Sequence, residues 1–115
     1  MANDAMVSGA GWRWFGYAGH FCGGGKCRFH LSTLVGTVLV STVGDYTPDG
    51  ETPTPLGIDG RLFETHVFRC DGIDANGDPK VLDWTAIDGV GYRRSRLAEE
   101  GHYEVCRRWE ARQRN

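Results

Sequence analysis

Residues 29–43 read FHLSTLVGTVLVSTV, and this stretch decides the fold. The two runs Phe29 to Leu34 and Thr37 to Val43 together hold many β-branched residues, which favour extended backbone. Between them lies Gly36, whose missing Cβ suits a tight turn. The stretch therefore predicts two antiparallel strands joined as a hairpin, and it places a β-sheet at the centre of the molecule.

Three further strands are predicted on either side of this hairpin. Trp12 to Tyr17 alternates large aromatic residues with smaller or polar ones, as a short strand does. Leu62 to Cys70 is the clearest strand pattern in the chain, although neither of its faces is purely apolar. Asn76-Gly77 is a strong hairpin signal, so Lys80 to Trp84 is predicted to return alongside that strand.

The tail predicts a helix from about Ser95 to Gln113, with the Ser95 hydroxyl as its N-cap. Five residues fall on one stripe at helical spacing: Ala98, His102, Val105, Cys106 and Trp109. The predicted fold is α+β, with a curved, mostly antiparallel sheet of about five strands and one C-terminal helix packed on it. Residues 1–115 form one domain, in which 1–10 are expected to be disordered and 44–60 to be a long loop.

Composition narrows the functional classes. The formal net charge of −2 argues against a general polyanion-binding protein, which usually carries a basic excess. Residues 1–11 lack the basic start and apolar core of a signal peptide, and the apolar run 34–43 is too short to span a bilayer. These features predict a cytoplasmic protein without a membrane contact, in which cysteines are thiols or metal ligands.

Two pairs of potential metal ligands stand far apart in the chain. Cys27 and His30 have the spacing of a metal-binding knuckle, and His102 and Cys106 are neighbours on one helix face. If the pairs meet, two thiolates and two imidazoles form a tetrahedral zinc site that ties the start of the sheet to the helix. The alternative interpretation is that these are ordinary buried residues, since cysteine is among the most buried residue types.

An enzymatic interpretation uses the same region. His20 and Cys22 flank the predicted site, and His20 is a candidate base beside a metal with one open position. Asp45 and Glu64 are the candidate catalytic carboxylates, and each is alternatively a surface group. A cysteine nucleophile paired with a nearby histidine is a further, weaker alternative.

Five residues near the start of the chain are candidates for ligand binding. Aromatic and basic residues alternate there, as on a base-stacking platform, and the glycine run 23–25 offers backbone amides to an anion. The candidates are Trp12, Arg13, Trp14, Lys26 and Arg28. Aromatic residues of this kind are alternatively part of the core.

Five blocks of the chain resemble a group of small uncharacterised bacteriophage and prophage proteins. The blocks are Gly19-His20-Phe21, Cys27-Arg28-Phe29-His30, Ser41-Thr42-Val43-Gly44-Asp45-Tyr46, Glu64-Thr65, and Gly101-His102 with Cys106. They span nearly the whole chain, with Cys22 outside the pattern. The resemblance implies a phage setting inside a host cell and no particular reaction.

Three functions are compatible with these observations. The first is a small accessory module that binds a host or phage protein, for example to inhibit host defence, with a Cys2His2 metal site holding its fold. The second is a small metal-dependent hydrolase acting on nucleotides or nucleic acid. The third is a nucleotide-binding sponge that uses the glycine run and Arg13, Lys26 or Arg28 for phosphates. The oligomeric state and the strand order are not readable from the sequence.

Overall fold

The computed structural model describes residues 12–15, 26–56 and 59–114, with the side chain of residue 114 excluded. It contains six strands and a C-terminal helix. The strands are β1 (Trp12–Trp14), β2 (Cys27–Val35), β3 (Val38–Tyr46), β4 (Phe63–Ile73), β5 (Pro79–Val81) and β6 (Asp88–Tyr92), and the helix is α1 (Ser95–Arg114).

All strand pairings are antiparallel, in the order β1-β2-β3-β4, after which β4 has two neighbours along its length. Its first half pairs with β6, where Phe63 lies opposite Tyr92, and its second half pairs with β5, where Cys70 lies opposite Val81. The central hairpin turns at Gly36, whose φ of 60° lies in the left-handed region that glycine tolerates. The pairing register of β2 with β3 follows from that turn.

The alternation of side chains divides the sheet into two faces, because successive strand residues point to opposite sides. The helix face carries Val35, Val38, Val40 and Val67, which pack with Trp12, Val105 and Cys106 into one cluster. The second face carries Leu34, Leu39, Phe68 and Cys70, which form a separate cluster. This explains why neither face of β4 is purely apolar in sequence: each face is covered by other residues along only part of the strand.

Helix α1 is held on the sheet at both ends. Near its start, Gly101 lies against the Tyr92 ring so closely that a Cβ there would overlap the ring. Near its end, the Gln113 side chain donates from Nε2 to the Val35 carbonyl at 2.8 Å and accepts at Oε1 from the Thr37 amide at 2.8 Å. Trp109 Nε1 also donates to Asp88 Oδ2 at 3.1 Å, so the helix contacts the β2–β3 turn and β6 together.

The α+β prediction is confirmed, including the antiparallel sheet and the C-terminal helix that begins at Ser95. Strand β6 was not predicted, since its sequence DGVGY has two glycines and little strand propensity. The predicted loop from residue 44 begins later, because β3 continues to Tyr46 through Asp45 in a left-handed conformation with φ of 54°. The disorder expected for residues 1–10 lies outside the described residues.

Candidate functional site

The largest fully buried polar side chain in the described part of the chain is the imidazole of His102, which lies between α1 and the sheet. Its Nε2 lies 2.9 Å from Thr33 Oγ1 on β2, and its Nδ1 lies 2.7 Å from Thr42 Oγ1 on β3. The chain of hydrogen bonds continues from Thr42 to Thr65 at 2.6 Å and from Thr65 to the Tyr92 hydroxyl at 3.0 Å. The network therefore crosses four strands beneath the helix.

The protonation state of His102 follows from this burial. Desolvation lowers the pKa of His102 to about 4, so the ring is neutral at physiological pH. A neutral imidazole donates from one nitrogen and accepts at the other, and each hydroxyl can do both. All four hydrogen bonds can therefore be satisfied at once, and the arrangement is that of a buried structural network.

Two of the cysteines are buried free thiols in the described part of the chain. Burial raises the pKa of the Cys106 thiol to about 12, although a contact with Thr33 opposes that shift, and burial raises the pKa of Cys70 to about 11. Both are free thiols that pack in apolar clusters on opposite faces of the sheet. Because the nucleophile and the metal ligand are the thiolate, neither residue is prepared for such chemistry at neutral pH.

The structure does not bring the other half of the predicted zinc site to His102 and Cys106. Cys27 lies six residues before Thr33 on β2, which is about 20 Å along an extended strand. Its sulfur belongs to a disulfide and so is not a thiolate ligand. His30 is exposed and, by strand alternation, points away from the face that carries Thr33.

Consistent with these positions, the described residues contain no group of three or more histidine, cysteine or acidic side chains able to hold a metal ion. Spacing in the sequence makes each of the two ligand pairs compatible with a metal by itself. Whether the two pairs meet depends on the register of β2, which the spacing does not determine. Zinc binding by this protein stays a prediction without a described site.

Of the predicted catalytic residues, Asp45 and Glu64 fall within the described part of the chain, at the end of β3 and the start of β4. His20 and Cys22 lie outside the described residues. Asp45 interrupts the end of β3, where its backbone amide donates to the Leu62 carbonyl at 3.3 Å. Glu64 is on β4, largely buried on the second face of the sheet.

Glu64 has a histidine neighbour that the sequence analysis did not select. His66 lies two residues further along β4 on the same face, and its Nε2 is 3.9 Å from Glu64 Oε1. The His66 side chain is 27% exposed and leans over Gly89 on β6, where a Cβ would lie 3.3 Å from the imidazole Cδ2. Ser41 on β3 is the cross-strand partner of His66. The sequence does contain a signal for this pair: an acidic residue and a histidine lie two positions apart in a predicted strand, so their side chains point to the same face.

The five predicted binding residues divide into three environments. Trp12 is a core residue that stacks on Tyr103 with ring centroids 6.5 Å apart, so its ring is not a platform for bases. Trp14 is 44% exposed, and Arg13 lies over the Phe15 ring at 5.7 Å.

Lys26 and Arg28 are exposed beside a cavity of about 380 Å³. Their head groups donate to the backbone carbonyls of Pro48 and Gly50 at 3.0 and 2.9 Å, so both cations bridge β2 to the loop after β3.

An exposed apolar patch lies on the segment 71–84, which contains the turn after β4, β5 and the residues that follow. Leu82 and Trp84 are 60% and 58% exposed, and the Trp84 ring packs edge-on against Phe68 with centroids 5.0 Å apart. The same segment carries four exposed aspartates against a single lysine: Asp71, Asp74, Asp78, Asp83 and Lys80. We call this surface the acidic apolar patch.

Comparisons with known proteins do not assign this chain to a family. Within the described part of the chain, no helix is both long and apolar enough to cross a membrane. No protein-family model, no curated protein and no solved structure matches this chain.

Proposed function

We propose that this protein is a small binding module that contacts a protein partner through the acidic apolar patch. The observation that carries the proposal is the pair of apolar side chains, Leu82 and Trp84, each more than half exposed on a segment of high negative charge. Large exposed apolar groups on a small protein mark interaction surfaces, and tryptophan is enriched among residues that dominate binding energy.

Charge indicates the chemistry of the partner. The four aspartates on the same segment as the apolar pair favour a partner surface that combines basic and apolar groups. Two of these carboxylates are held by the local backbone, since Asp74 Oδ1 accepts from the Asn76 amide at 2.9 Å and Asp83 Oδ1 accepts from the Thr85 amide at 2.9 Å. A fixed carboxylate loses less entropy on binding than a freely rotating one, which supports recognition at this segment.

Several chemically active groups are accounted for in other ways, which supports a binding role. The His102 ring is neutral and bonded at both nitrogens, and the Cys70 and Cys106 thiols are buried with raised pKa values. The resemblance to small bacteriophage proteins supports an accessory role in infection, with inhibition of a host defence protein as its expected form.

The test is cross-linked capture from host cells, followed by rebinding of the purified partner. Trp84→Ser and Leu82→Ser are expected to reduce the affinity for that partner by about tenfold or more, because each removes an apolar contact at the centre of the interface. Trp14→Ser is the matched control, since it also removes an exposed tryptophan but on β1. Affinity is also expected to fall with increasing salt.

If Trp14→Ser weakens the complex as much as Trp84→Ser does, or if the isolated partner is acidic, the assignment of this surface is wrong. Circular dichroism of each variant separates lost binding from lost structure. Leu82 provides an independent variant because its side chain is 60% exposed.

A hydrolase is the second candidate, and the Glu64–His66 pair favours it. A carboxylate close to an imidazole can orient the ring and stabilise its charged form during general acid–base catalysis. The test is turnover of nucleotides and nucleic acid with and without added divalent metal. Activity that His66→Ala abolishes and His30→Ala leaves unchanged supports this candidate, whereas equal loss in both variants contradicts it.

A further inference from the structure

A cleft with unpaired positive charge lies where β6 meets the start of α1. Its volume is about 400 Å³, and it is lined by Arg61, Gly91, Tyr92, Arg93, Leu97, Glu100, Gly101 and Glu104. That volume is within the range of small-molecule sites in proteins. The absence of side chains at Gly91 and Gly101 leaves backbone and the Tyr92 ring as the floor of this cleft.

Arg61 is the central group of the cleft. Its Nη1 donates to the Gly91 carbonyl at 3.2 Å, which holds the guanidinium against the edge of β6. Its Nε is buried and has no hydrogen-bond acceptor among the residues that the structure describes. A buried donor without an acceptor is costly, so an orphan of this kind requires an explanation beyond the protein's own contacts.

The charged groups that line the cleft are two arginines and two glutamates. Glu100 is paired with Arg96 at 3.2 Å and Glu104 with Arg107 at 3.0 Å, and both carboxylates are more than 60% exposed at the outer rim. Within the described part of the chain, Arg61 and Arg93 form no ion pair. Because Arg96 and Arg107 pair with the two glutamates from outside the lining, Arg61 and Arg93 are the lining charges left for a ligand.

We propose that this cleft binds a phosphate monoester, with the phosphate on Arg61 and Arg93 and its organic group against Leu97. A phosphate monoester carries about −1.5 to −2 charges at neutral pH, so it can pair with both arginines. Because Nη1 of Arg61 is already used and Nε is buried, Nη2 is the donor that remains for a phosphate oxygen. Leu97, which is 40% exposed, supplies an apolar wall for the attached group.

This site is independent of the proposed protein-binding surface. Phe63 pairs with Tyr92 at the cleft end of β4, and Cys70 pairs with Val81 at the other end, seven residues or about 23 Å away along the strand. Failure of one proposal therefore leaves the other intact.

The test is calorimetric titration of the full chain with four probes at about 150 mM salt, where long-range attraction is screened. The probes are inorganic phosphate, adenosine monophosphate, adenosine and benzoate. The expected order is adenosine monophosphate tightest and inorganic phosphate weaker, with no binding of adenosine. Benzoate tests whether a carboxylate binds as well as a phosphate. Its single negative charge can pair with only one of the two arginines, so we expect it to bind more weakly.

Three variants locate the binding. Arg61→Gln and Arg93→Gln are expected to weaken adenosine monophosphate by about tenfold or more, since each removes charge-assisted hydrogen bonds. Leu97→Ala is expected to weaken adenosine monophosphate and leave inorganic phosphate unchanged. Arg94→Gln is the matched control, because Arg94 is an exposed arginine beside the cleft that does not line it.

The proposal is overturned if neither phosphate probe binds at ~10 mM, which corresponds to an affinity too weak for a specific site. It is also overturned if Arg94→Gln weakens binding as much as Arg93→Gln, or if benzoate binds more tightly than both phosphate probes. Should Arg61→Gln fail to fold, the Arg93→Gln and Leu97→Ala variants decide the question, because both side chains are exposed.

Discussion

His102 has a different role from the one its sequence position suggested. Its spacing to Cys106 predicted a metal ligand on a helix face, whereas both ring nitrogens are used by threonine hydroxyls on β2 and β3. Three threonines point toward the helix at positions where an all-apolar face would carry valine: Thr33, Thr42 and Thr65. The imidazole and these hydroxyls satisfy one another, which lets a polar side chain stay fully buried.

The buried His102 predicts a specific loss of stability in acid. The folded-state pKa of about 4 lies below the ordinary value of 6.5, so the unfolded chain binds a proton more readily. The contribution is fully present above about pH 6.5, is lost as the pH falls toward 4, and amounts to about 3 kcal/mol for a shift of this size. The measurement is the free energy of unfolding by urea between pH 7 and pH 4.

His102→Gln is expected to be less stable at pH 7 and to lose this pH-dependent step. His30→Gln is the matched control, because His30 is exposed and its replacement leaves the step in place. A step that survives in His102→Gln would show that another group, such as a carboxylate, produces it.

Among the elements, α1 packs on β2, β3, β4 and β6 with its buried stripe against the sheet. The helix stripe identified in the sequence is the buried one, since Ala98, His102, Val105 and Cys106 all lie against the sheet. Gly101 interrupts that stripe because the Tyr92 ring occupies the space that a side chain would need. Gly101 lies in the middle of the helix, and only the pairing of β6 with β4 brings Tyr92 against it.

The sign of the stability change in the Gly101→Ala variant tests this contact. In an open helix, alanine stabilises by about 1 kcal/mol relative to glycine. Here the new methyl group overlaps the Tyr92 ring, so we expect destabilisation of about 1–3 kcal/mol, as for other overpacked sites. Thermal and urea unfolding measure it.

Glu99→Ala is the control for that experiment, because Glu99 is an exposed helix residue and its replacement is expected to change stability by less than about 0.5 kcal/mol. A Gly101→Ala protein more stable than the wild type would contradict the close approach of Tyr92.

At the scale of the whole molecule, the sheet buries apolar residues on both faces, and the two free cysteines lie in different clusters. Cys106 is sealed under α1, whereas Cys70 lies on the second face beside Leu39 and Phe68. Access of a reagent to either thiol therefore requires opening of the fold. Their raised pKa values reduce the thiolate population further.

Thiol alkylation followed by mass spectrometry of the two peptides checks this arrangement. We expect Cys70 and Cys106 to be almost unlabelled in the native protein and fully labelled in urea, because only the unfolded chain exposes their thiols. Destabilising the protein with Gly101→Ala is expected to raise the labelling rate at Cys106. Rapid labelling of Cys106 in the native wild type would contradict its burial beneath the helix.

Local sequence determined much of this protein: the turn at Gly36, the hairpin around it, the Asn76-Gly77 turn and the helix that begins at Ser95 all follow from backbone preference and side-chain period. Strand β6 escaped prediction because its glycines carry no such signal. Contacts between distant residues were decided only by tertiary structure, because pairing register fixes which side chains meet. That register separates Cys27 from Cys106, joins His102 to the threonines of β2 and β3, and brings Arg61 to the start of the helix.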